Sequence, residues 1–94
     1  MTEVMTVRER LAEDAGPVTR AALQAHADRG GLVLVAAGLD LLDVAEAVVR
    51  DQGDLVGAWV ASGQLQRPSF EELDADTYDT VIAQPFVLAQ KRDG

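Results

Sequence analysis

Apolar positions recur along the chain with two different periods, and the change from one to the other marks its elements. Val4, Val7, Leu11 and Ala15 share one helical face, and Thr6 and Glu9 have capping-box spacing, so the pattern predicts a first helix over 6–15. Pro17 suits a first helical turn. Val18, Ala21, Ala22 and Ala25 then predict a second helix ending where Arg29, Gly30 and Gly31 break it. Leu32 to Ala37 is a valine-rich aliphatic run bounded by glycines, too short for a helix and suited to a buried strand.

After that strand the helical period returns. Asp40 stands as N-cap with Asp43 in the first turn, and Leu41, Val44, Ala45, Val48 and Val49 form a broad apolar face. Asp51 to Asp54 breaks the helix, Asp54 is expected to cap a second one, and Leu55, Val56, Trp59 and Val60 continue it to Gly63. Two helices joined so closely must cross near each other, and Gly57 and Ala58 are small enough to allow it. A short strand precedes Pro68, Ser69 and Glu72 predict a small capped helix, and Asp76 to Asp79 is expected to be a turn. Thr80 to Gln90 is strand-like but contains Pro85, which points to an edge strand or a bulge.

These elements predict a single α+β domain over 1–94, with its main body over 17–90. It is rich in helix, with a small antiparallel sheet resembling a degenerate winged helix-turn-helix with an enlarged wing. Topology of that kind does not assign function. The helix at the DNA-reading position, Asp54 to Ser62, lacks the arginine, lysine, asparagine and glutamine that meet base edges.

Charge strengthens that exclusion. Sixteen acidic residues face eight basic ones, a net charge of −8, and the segment from Asp40 to Gln66 holds five acids and one arginine. Such a surface repels phosphate backbones and anionic membranes. Hydrophobic residues at 48% nevertheless supply enough apolar surface for a folded core. There is no cysteine, no apolar leader at the N-terminus and no apolar run of spanning length, so the expected setting is a reducing cytoplasm.

Candidate chemistry is sparse. His26 is the sole histidine and sits at a helix C-terminus, where a capping role accounts for it. Ser62 and Ser69 lack the glycines of a nucleophile elbow. Glu72, Asp74, Asp76 and Asp79 have the alternation of a calcium loop without its turn glycine or distal glutamate. Trp59 shares a face with Leu55 and reads as core. No metal site and no cofactor are expected.

The stretch Ala25 to Ser69, followed by Val81 to Gln90, resembles a small bacterial family known as domain of unknown function two-two-eight-eight. The resemblance is carried by His26, Arg29 and Gly30; by Leu39, Asp40 and Leu41; by Asp51, Trp59, Gly63 and Pro68; and by Gln84, Pro85, Val87, Leu88 and Gln90. The family pattern implies a further tryptophan after Glu71, which this chain lacks. It implies no activity and therefore no catalytic residue.

The leading expectation is a non-catalytic protein-interaction or adaptor domain that binds an unidentified protein partner through Asp43, Glu46, Arg50, Asp51 and Asp54. A second is a ligand-binding protein or enzyme using His26, Arg29 and Asp40, which flank the first strand. A third, nucleic-acid binding, would use the cations Arg67, Lys91 and Arg92. A homodimer through an exposed edge at the Pro85 strand is compatible with each.

Overall fold

The computed structural model describes residues 6–13 and 15–91. Helix α1 (Val7–Glu13) begins at the expected capping box: the Glu9 amide donates to Thr6 Oγ1 at 3.1 Å, and the Thr6 amide donates to Glu9 Oε1 at 3.3 Å. It stops two residues earlier than its pattern predicts, and Val4 lies outside the described residues.

The first departure comes at Pro17. Gly16–Thr19 is strand β1, not the start of a helix, and pairs antiparallel with Thr77–Thr80 at an edge of the sheet. An edge is where a strand tolerates a proline's missing N–H, so the residue that suits a helical first turn fits there equally well. Helical structure begins only with a 3-10 turn at Arg20–Leu23 and the short helix α2 (Gln24–Asp28). The glycines end it as expected, with Gly30 at φ +74° and the Gly31 amide donating to the His26 carbonyl at 3.0 Å.

Strand β2 (Leu32–Val35) is followed by helix α3 (Leu41–Val49). Asp40 is its N-cap, accepting from the Leu42 and Asp43 amides at 2.9 and 3.1 Å. Helix α4 (Gly53–Ala61) has Gln52 at its N-cap position without a side-chain capping bond, and Asp54 lies in its first turn, not at the cap. The chain enters α4 through Asp51, a non-glycine residue at φ +57°, and the helix starts at Gly53, too early for Asp54 to be its N-cap. Gly63, at φ +80°, closes α4, and β3 (Leu65–Gln66) follows.

A 3-10 turn at Phe70–Glu72 has both halves of its capping box. It packs through Phe70 and Leu73 without the extra tryptophan of the family pattern. The residues expected to turn after it instead open β4 (Thr77–Ala83), which pairs with β5 (Phe86–Lys91). Pro85 therefore lies in the turn between two strands and not within one. Both are interior strands, so the expected edge position is also corrected. Tyr78 explains the misreading of the polar segment. Its ring is buried on one face and its hydroxyl accepts from the Ala75 amide at 3.0 Å, while Thr77 and Asp79 alternate away from it.

Among the described residues, five strands form one sheet in the order β1-β4-β5-β2-β3. The α+β class stands, but the sheet is mixed where a small antiparallel one was predicted, because β2 and β5 run parallel with Leu32 opposite Val87. Helices α1, α3 and α4 cover one face around Val35, Val44, Val81 and Leu88. The other face carries the 3-10 turns and α2 around Leu23, Leu32, Leu73 and Tyr78.

Leu88 lies on the innermost strand at 0% exposure, whereas Ile82, on β4, is 45% exposed. Leu88→Ala is expected to lower unfolding free energy by about 2–5 kcal/mol, and Ile82→Ala by under about 1 kcal/mol. Urea denaturation of both variants checks the ranking.

Candidate functional site

The helix pair that drew attention in the sequence is packed unequally. Helix α3 buries Val44, Ala45 and Ala47 against the sheet. Helix α4 has Asp54 as its sole charged residue, yet among the described residues it buries none of its nine. Val56 and Trp59 rest half-buried against the core, so Trp59 packs on the core without being enclosed by it. On the rest of α4, Leu55 and Val60 remain 43% and 56% exposed.

Beside this weak contact runs an apolar groove of about 450 Å³, walled by α3, α4, β3 and the inner strands. Val33, Val48, Val56, Val60, Phe86 and Leu88 contribute apolar surface, with Asp51 and Arg67 as the charged members of the lining. Gly57 faces it as well, and a Cβ built there would meet nothing within 4 Å. Gly57, expected with Ala58 to let α4 approach its neighbour closely, thus borders open space. The Arg67 guanidinium stands 5.2 Å from the centroid of the Phe86 ring. Among the described residues, no carboxylate lies within ion-pair distance of it.

The acidic residues of the expected partner surface are in different states. Arg8 of α1 pairs with both Asp43 and Asp40, the latter at 3.4 Å, and Arg50 pairs with Glu46 at 3.7 Å. The hydrogen bond to Asp43 holds the Arg8 guanidinium above its ordinary pKa. Asp51 and Asp54 make no ion pair among the described residues. Of the five residues, Asp51 alone lines the groove.

The alternative set is only partly brought together. Arg29 Nη2 lies 2.9 Å from His26 Nδ1, at the point where the chain leaves α2 and enters β2. Asp40 lies beyond the far end of that strand, capping α3 and engaging Arg8. None of the three lines the groove beside α4.

The calcium-like acids are dispersed. Glu72 accepts from the Ser69 amide at 2.9 Å, which lowers its pKa, and Asp74 meets Lys91 at 2.9 Å, which lowers that of Asp74. Among the described residues, no group of three or more potential ligands is placed to hold a metal ion. No helix among them is long and apolar enough to cross a membrane. Of the cations considered for nucleic acid, Arg67 stands over Phe86, Lys91 meets Asp74 and Arg92 lies outside the described residues.

The family model described as protein of unknown function DUF2288 matches residues 6–91. The chain belongs to this family. The DUF2288 chain is also similar to the NMR solution structure of PA1075 from Pseudomonas aeruginosa. The TM-score is 0.80 at 34% sequence identity, covering 100% of this chain and 93% of that one. No curated protein matches it.

The groove was not foreseen from the sequence of this DUF2288 chain, because its walls come from segments far apart in sequence. One local signal pointed towards it, namely a helix too apolar all round for the little it buries. Since Gly57 borders open space and has an ordinary helical backbone, Gly57→Ala is expected to raise stability by about 0.5–1 kcal/mol. A rise in the thermal midpoint checks this. A fall would mean that α4 and α3 close on one another at that position.

Proposed function

We propose that the protein is a non-catalytic interaction domain that docks a protein partner on the outward side of its helix pair. One observation carries this reading: α4 has a single charged residue and buries none of its nine among the described residues. A helix apolar on all sides belongs in an interior. Val49, at the end of α3, is 44% exposed and Leu55 43%, so each helix of the pair leaves a large apolar side chain facing solvent.

Charge defines the partner. Asp54 stands exposed one residue before Leu55, and Asp51 is exposed in the turn that joins the helices. Neither is neutralised by an ion pair among the described residues, whereas Asp43 and Glu46 are. The complementary surface is an apolar patch bordered by lysine or arginine, and the acidic chain would steer it inward. Asp51 and Asp54 are therefore the active members of the acidic set, while Asp43 ties α1 to α3 through Arg8 and Glu46 pairs with Arg50 along α3.

Immobilised full-length protein and three variants, incubated with host extract, provide the test. A protein retained in stoichiometric amount by the wild type and by Ile82→Asp, but about ten-fold less by Leu55→Asp and by Asp54→Lys, is the expected result. Equal retention by Leu55→Asp, or no retained protein at all, contradicts the reading.

A further inference from the structure

The groove beside α4 has the dimensions of a small-molecule site. Its volume of about 450 Å³ lies within the range of ligand pockets, roughly 300–1,000 Å³. That is about three times the size of an apolar cavity that accepts benzene. Apolar walls of this kind hold water poorly and gain from contact with an aliphatic or aromatic body.

The charged lining selects the other end of the ligand. Arg67 is placed by a wall of the groove itself, because its guanidinium lies over the ring of Phe86, a lining residue. A stacked guanidinium keeps its outer N–H groups for other acceptors, and its planar fork matches a carboxylate or a phosphate in a two-point contact. No described carboxylate occupies that fork. Asp51, the carboxylate of the lining, sits on an exposed turn at φ +57°, and no described side chain anchors it against a wall. The positioned charge at the groove is therefore the positive one.

We propose that the groove between α4 and the sheet binds a small amphiphile with an anionic head, its apolar body along Val33, Val56, Val60 and Leu88 and its head on Arg67. Of the partner surface of the previous section, Asp51 borders this groove, whereas Leu55 and Asp54 are not part of its lining. Its test does not pass through Leu55 or Asp54, so its failure is distinguishable from the failure of that surface.

Full-length isotope-labelled protein titrated below micellar concentrations with decanoate, decyl phosphate, decyltrimethylammonium and 1-decanol tests this by NMR and calorimetry. Saturable binding of decanoate or decyl phosphate is expected, with amide shifts concentrated at Val33, Val56, Gly57, Val60 and Phe86. The tighter of the two identifies the head as carboxylate or phosphate.

Arg67→Gln should weaken the anionic ligand by about ten-fold while leaving 1-decanol unchanged. Gly57→Leu, which puts a side chain into the open space, should weaken both. The dispersed spectrum of each variant shows that it remains folded. The proposal is overturned if neither anionic ligand shifts the groove amides, if decyltrimethylammonium binds more tightly through Asp51, or if Arg67→Gln binds the anion as the wild type does.

Discussion

The parallel pairing of Leu32–Val35 with Val87–Gln90 is the constraint on which the rest of the molecule depends. Parallel neighbours cannot be joined by a hairpin. The chain must leave one strand, cross a face of the sheet and return, which takes a dozen residues or more. Here the crossing includes α3, α4, β3 and β4, and it brings β5 into the centre of the sheet with Leu88 and Ala89 fully buried. Helix α3 lies across β4 and β5 and satisfies that face. Helix α4 follows after a short turn and packs chiefly against α3 and the two-residue edge strand β3, so it finds little sheet left to cover. The groove and the exposed apolar side of α4 both follow from that geometry.

The acidic charge is distributed to match. Around the N-terminus of α3, where the helix dipole favours carboxylates, Asp40 caps the helix and Asp43 occupies its first turn. Arg8 spans the two and ties α1 to α3 across more than thirty intervening residues. At the other end of the pair, Asp51 and Asp54 face water without such a tie among the described residues. The same net charge thus acts as internal fastening at one end of the helix pair and is left facing solvent at the other.

Locally encoded features were legible in the sequence. The capping boxes at Thr6 and Ser69, the Asp40 cap, the glycine stops at Gly30 and Gly63 and the buried strand after Gly31 all depend on residues a few positions apart. What was not legible depends on distant partners. Pro17 fits a helical first turn or an edge strand equally well, and only the presence of β4 beside it decides. Thr77 and Asp79 look like turn residues until pairing makes Tyr78 the inward position of a strand. Pro85 argued against an interior strand because the hairpin that places it between two strands was not visible. The groove was hidden for the same reason, since Val33, Val56, Arg67 and Phe86 belong to separate segments. The acidic helix pair was legible as a surface, but not which of its carboxylates are already engaged.

The central claim is that α4 is held to the fold along one narrow edge and presents the rest outward. Native-state amide hydrogen exchange measures this residue by residue. The account predicts that the helical amides of Val60 and Ala61 in α4 exchange through local opening, at least about a hundred-fold faster than those of Leu88 and Ala89 in β5. Protection in α4 equal to that in β5 would show that the helix is bound into the core as firmly as the central strand, and the groove and docking surface argued from its weak attachment would lose their basis.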